Sequence, residues 1–184
     1  MKKYIYFLTF TIMLSLQTHA SIDSLIDSGC TTDQQREIII SQINSGIEIN
    51  RKHSRENLSL LAHVYGKYKY SEEEAKIFYE NIIMVLLKKG ALVHENGKKY
   101  TSAIFRAVCY KDIKFVNIFL SFLPTMSPLE TSETIKDSIG DNLMHRLLRP
   151  PLVASSEEVF EIAKMIYHHN PFVTQEKNKD EESP

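Results

Sequence analysis

The chain has 184 residues, 43% of them hydrophobic and 24% charged, which is the balance of an ordinary folded domain and not of a disordered one. That length gives one domain with a real core and does not call for two. The formal net charge is −1 at pH 7, and with Lys2 and Lys3 set aside 20 basic residues face 23 acidic ones, which excludes the basic surface of a nucleic-acid binder.

The first twenty residues read differently from the rest. Lys2 and Lys3 precede an apolar run from Ile5 to Leu16, relieved by Thr9, Thr11 and Ser15, and a polar stretch ends at Thr18-His19-Ala20 before Ser21. A basic start, an apolar middle and a small-x-small site make up a secretory signal peptide. The run is shorter than the roughly 20 residues of a bilayer-crossing helix. Residues 1–20 are therefore expected to be a cleaved signal, with a short membrane anchor as the alternative. The product would be periplasmic, or secreted as the alternative, and no membrane contact is expected after cleavage. The two-lysine start and short apolar run suit a bacterium. An oxidising compartment permits disulfides, and the remaining chain holds two cysteines, Cys30 and Cys109. They either bridge, closing a large loop, or remain separate thiols; the sequence leaves both open.

Four helices follow one design. Thr32 with Gln35 opens the first, carrying Ile39 and Ile43 to Gly46. Tyr65–Tyr70, polar and rich in tyrosine, reads as an inserted connection. Ser71-Glu72-Glu73-Glu74 opens the second, with Phe78, Ile82, Val85 and Leu86 running to Gly90. Asp112 caps the third, whose stripe is Val116, Phe119, Leu120 and Leu123. Phe115, Ile118 and Phe122 make it apolar on a second face, as expected of a helix between neighbours. Ser155 and Glu158 have capping-box spacing ahead of Val159, Ile162, Ala163 and Ile166. Asn170 sits where a left-handed cap belongs, followed by Pro171. Residues 176–184 are polar and charged, and are expected to be disordered.

The helix ends fall at Gly46, Gly90, Leu123 and Asn170, at intervals of 44, 33 and 47 residues. Taking 33 as the unit leaves excesses of 11 and 14, which the Tyr65–Tyr70 connection and the Thr125–Ser138 stretch can hold. A 33-residue period of paired helices is the signature of ankyrin repeats.

Several segments carry a resemblance to that family. Val85-Leu86-Leu87-Lys88-Lys89-Gly90-Ala91-Leu92-Val93 resembles the end of an ankyrin outer helix and its exit. Ile162–Val173 is similar, with Asn170 in place of glycine, and Ile43–Asn50 includes the terminal asparagine of the family pattern. The inner-helix motif appears as Gly140-Asp141-Asn142-Leu143-Met144-His145, more weakly as Ser102–Ala107, and poorly as Asn57–His63. No copy keeps the family's Thr-Pro pair. The resemblance implies an all-α, ankyrin-like helical solenoid of about four helix pairs over residues 21–175, with Leu86, Leu87 and Phe119 between repeats. An irregular helical bundle is the alternative. His145 matches the family's structural histidine, which braces the turn backbone.

Catalytic and metal-binding patterns are missing from the sequence. His168 and His169 are adjacent on a helix and diverge, so they cannot share a metal as an i, i+4 pair does. There is no HExxH, CxxC, P-loop or GxSxG pattern, and Cys109 late in an inner helix does not read as a nucleophile. The chain is expected to be no enzyme and to need no cofactor and no metal. The resemblance implies binding through turn tips and the exposed side of the inner helices. Those tips are Arg51, Lys52, His53 and Arg55 in one loop, and His94, Lys98, Lys99 and Tyr100 in the next. Tyr65, Tyr68 and Tyr70 add the side chains that most often anchor interfaces. The expected function is a periplasmic protein-binding module, monomeric when alone: an immunity or inhibitor protein that neutralises a cognate toxin. A scaffold or protective partner of a periplasmic enzyme, or a secreted host-directed factor, are the alternatives.

Overall fold

A computed structural model describes residues 21–29, 32–52, 58–94, 102–123, 135–137, 139–149, 155–175, 177–180 and 182–184. Residues 1–20, expected as a signal peptide, lie outside the described residues, as does nearly all of the Thr125–Ser138 stretch. Six of the eight described α-helices start on an oxygen side chain that accepts from an otherwise unpaired first-turn N–H. Ser21 caps α1 (Ile22–Asp27) and Thr32 caps α2 (Asp33–Asn44). Ser59 caps α3 (Leu60–Tyr70), whereas α4 (Glu73–Lys88) and α5 (Ala103–Cys109) start without a side-chain cap. Asp112 caps α6 (Ile113–Ser121), Asn142 caps α7 (Leu143–Leu148) and Ser155 caps α8 (Ser156–His169). A 3-10 turn, Pro171–Thr174, follows. Among the described residues the fold is all-α, as expected.

The helices pair in chain order: α1 with α2, α3 with α4, α5 with α6, α7 with α8. The first helices of successive pairs also pack in line, α1 on α3, α3 on α5 and α5 on α7, while α2 meets α4 and α6 meets α8. The core is shared between pairs. Leu86, Leu87 and Phe119 are all buried, so truncating any of them to alanine costs about 2–5 kcal/mol. The turns before the first helices are tied by short backbone contacts: Leu60 N–H donates to Arg51 C=O, Ile104 to Val93, and Asp137 to Asp141. Asn50 Oδ1 accepts from Leu92 N–H at 2.8 Å, joining two consecutive exit turns.

Three sequence expectations need correction. Tyr65–Tyr70 is not a connection but the last part of α3. Leu60, Leu61, Val64, Tyr65 and Tyr68 fall at helical spacing, and burial of their side chains outweighs the polar character of Lys67 and Lys69. Secondly, the N-caps of the second helices, Thr32, Glu72, Asp112 and Ser155, recur at intervals of 40, 40 and 43 residues. The 33-residue interval arose because α6 has 9 residues against 16 in α4 and so ends early. Thirdly, Asn170 is extended (φ −143°) and caps the 3-10 turn, its Oδ1 accepting from Phe172 N–H at 3.1 Å.

The tail also differs from expectation, because residues around Asn178 and Glu182 dock on α7. Asn178 is buried; its side-chain amide donates to Asp141 Oδ1 and to Glu182 Oε2. His145 Nε2 meets Glu182 C=O at 2.9 Å, and its Nδ1 accepts from Asn142 N–H. His145 is thus a turn-bracing histidine, and it braces the tail as well. Beneath it Arg146 lies between Asp137 and Asp141, all three side chains buried, and Arg149 reaches Asp141 from the rim at 2.8 Å. Paired in this way, the buried charges avoid the several kcal/mol that an isolated one would cost.

Candidate functional site

Those residues proposed for the partner surface that are described do not form one surface once folded. Arg51 Nη2 donates to Asp23 Oδ1 at 2.5 Å, clamping an exit turn to α1, while Lys52 is exposed and forms an isolated bridge with Ser59. Tyr65 is fully buried against Phe115 and Phe119, with ring centroids 5.2 and 5.5 Å away. Its hydroxyl donates to Asp112 Oδ2, and burial beside that carboxylate raises its pKa far above the usual phenol value. Tyr65 is a core residue and cannot anchor a partner. Tyr68 is half-buried on Phe115, and burial raises its pKa too. Tyr70 is 77% exposed, and its hydroxyl lies 2.8 Å from that of Tyr110. His94 is half-buried, with Nδ1 at 3.4 Å from Ser102 Oγ and its ring on Phe105. His53, Arg55, Lys98, Lys99, Tyr100 and Cys30 lie outside the described residues. Cys109 is a half-buried free thiol; burial raises its pKa, which keeps it protonated and a poor nucleophile at neutral pH.

A different set of residues converges. Between α3 and α5, on the side formed by the first helices, lies an open pocket of about 400 Å³ lined by His63, Gly66, Lys67, Tyr70, Ser71 and Arg106. Helical spacing puts His63, Gly66, Lys67 and Tyr70 on one face of α3, at i, i+3, i+4 and i+7. Asp27, at the end of α1, pairs with two of the lining residues: its Oδ1 is 3.0 Å from His63 Nε2 and 3.1 Å from Lys67 Nζ. Arg106 enters from α5, and its Nη1 donates to Ala62 C=O at 3.1 Å.

Arg106 differs from the other described arginines. Arg36, Arg51, Arg146 and Arg149 each pair with a carboxylate. Arg106, though half-buried, holds only a backbone carbonyl among the described residues. The guanidinium has five donors in a planar fork, so most of its capacity stays directed at the pocket. Tyr70 lines the pocket, and its ring meets that of Tyr110 edge to face with centroids 5.9 Å apart. The arrangement can hold an anion by charge-assisted hydrogen bonds, with aromatic surface beside it.

Of this site the sequence reading found only Tyr70. Arg106 falls in the weak inner-helix motif Ser102–Ala107, which by itself marks no site. One signal was available: a lone arginine inside the apolar run Ala103–Cys109, together with a glycine inside a helical pattern. Among the described residues no group of three or more His, Cys, Asp or Glu is arranged to hold a metal, and no helix is long and apolar enough to cross a membrane. No protein-family model matches this chain, and no curated protein matches it.

Proposed function

We propose that this chain is an exported, ankyrin-like binding module that acts by occupying a partner protein, as an inhibitor or immunity protein that neutralises a cognate toxin, and not by catalysis. The repeat reading draws support from the in-line packing of α1, α3, α5 and α7 and from the Asn50–Leu92 tie between exit turns. Left-handed glycines at Gly46 and Gly90 and the bracing role of His145 support it too. The interval of about 40 residues departs from the 33 of the family pattern.

The binding reading is carried by one observation: a half-buried arginine with no carboxylate partner among the described residues, set in a pocket beside an exposed tyrosine on the first-helix side. Arginine and tyrosine are the residues that dominate interface energetics when a partner covers them. The toxin assignment adds the signal-like first twenty residues, and rests on analogy of fold.

The test is capture. The chain from Ser21 is immobilised, and periplasm and culture fluid of the source organism are passed over it before a high-salt wash. A single stoichiometric protein with a toxin or hydrolase domain is the expected result. A resident housekeeping enzyme would replace the inhibitor reading with the scaffold, and an empty column counts against both.

A further inference from the structure

The pocket's chemistry narrows what the partner presents. The geometry points to a receptor for one carboxylate side chain, an Asp or Glu of the partner protein, gripped by Arg106 and flanked by Lys67 and Tyr70; this rests on the protein-binding reading above. Arg106 and Lys67 contribute two positive charges and Asp27 one negative, so these three side chains together leave a single positive charge. A monoanion balances it. A phosphate dianion would leave surplus negative charge facing Asp27, which favours a carboxylate.

Gly66 shows how the arginine is seated. It lies inside α3, where glycine costs helix stability relative to alanine. A Cβ there would stand 2.7 Å from Arg106 Nη1 and would meet no other group closely. The absent side chain is therefore what lets Arg106 lie across α3. From there it reaches Ala62 C=O, the acceptor that the helix already gives to Gly66 N–H. Helix stability is given up at this position, and what is obtained is a fixed guanidinium, with one donor anchored and the fork open toward solvent. Preorganisation of this kind lowers the entropic cost of binding a planar carboxylate.

The experiment uses the isotope-labelled protein, titrated at constant ionic strength with N-acetylglutamate N-methylamide, its glutamine counterpart and inorganic phosphate. Nitrogen–proton correlation spectra follow the Arg106 side chain and the Lys67 and Tyr70 amides. The glutamate probe should shift these signals saturably and bind about tenfold or more tightly than the glutamine probe. Arg106→Gln should abolish the response. Gly66→Ala keeps the charge but displaces it, and should weaken binding about tenfold while leaving the thermal midpoint unchanged or higher. Equal responses to glutamate and glutamine, tighter binding of phosphate, no glutamate response, or full binding by both variants overturns the inference. Used as capture baits, wild type and Arg106→Gln separate the two readings. A partner held equally by both removes the carboxylate receptor and keeps the binding module, whereas a glutamate response with an empty column does the reverse.

Discussion

Asp112 does three things with one carboxylate. Its Oδ1 accepts from Phe115 N–H and caps α6, while its Oδ2 accepts from Tyr65 O–H at 3.2 Å and from Lys69 Nζ at 3.4 Å. Asp112→Ala should therefore cost more than a cap alone, about 2–4 kcal/mol in urea unfolding, because it also strands a buried phenol. Tyr65→Phe should cost about 1 kcal/mol, and the double variant less than the sum of the two. His169 is a second residue with a measurable signature. Leu120, Ile135, Leu143, Ile166, Asn170 and Val173 surround it, its Nε2 has no hydrogen-bond partner among the described residues, and burial lowers its pKa below 6.5. Above that value the ring is neutral in both folded and unfolded chains and contributes nothing to pH dependence. As pH falls below 6.5 the unfolded chain takes up the proton first, so stability is lost until the folded pKa is passed. Compared with His169→Leu, the wild type should lose up to about 1.4 kcal/mol per pH unit in that window, read from unfolding midpoints at a series of pH values.

At the scale of elements, the helix ends repay comparison. After α4, Gly90 N–H donates to Leu87 C=O and Ala91 N–H to Leu86 C=O, around a left-handed glycine (φ 88°). After α5 the same motif recurs, with Lys111 N–H on Val108 and Asp112 N–H on Ala107, but the left-handed residue is a lysine (φ 54°). The lysine is strained there, and its ammonium offsets this by donating to Leu147 C=O at the C-terminal end of α7, 2.5 Å away. That bond ties one helix pair to the next and suits the negative end of α7; burial lowers the lysine's pKa without removing the bond. Lys111→Met keeps the strain and loses the bond, so it should destabilise by about 1–2 kcal/mol. Lys111→Gly loses the bond but relieves the strain, and should be milder by about 1 kcal/mol. Chemical denaturation of the two variants side by side checks the order. Gly90 was legible as a stop signal because glycine favours that conformation. Lys111 was not, because its compensating contact lies 36 residues away.

At the scale of the molecule, the last helix pair is completed by the tail. Asp141 and Arg146 are buried, and the tail supplies Asn178 and the Glu182 carbonyl to the groups around them. Removing residues 176–184 should cost about 2–4 kcal/mol, since it exposes or strands several of those polar groups. Hydrogen exchange of the α7 amides should accelerate far more than that of α3. An unchanged α7 would mean that the tail contributes nothing to the stability of the last helix pair. A run rich in Lys, Glu and Asp looks disordered when only its own hydrophobicity is counted. What orders it is a charged acceptor surface assembled from Asp137, Asp141, Arg146 and Arg149, and half of that surface is contributed by the loop before α7.

The sequence by itself determined the all-helical class and the capped starts at Thr32, Asp112 and Ser155. It also determined the stop at Gly90 and the buried stripes of α4, α6 and α8. Caps, glycine stops and 3.6-residue periodicity act within one or two turns, so they are written locally. Tertiary structure alone decided that Tyr65 is core, that the second helices of successive pairs start about 40 residues apart, and that the tail is docked. It also decided that Arg106, Gly66 and Lys67 line one pocket, with Asp27 paired to Lys67. Each of these depends on which residues of distant helices come into contact, because burial and ion pairing are energies of juxtaposition and not of spacing along the chain.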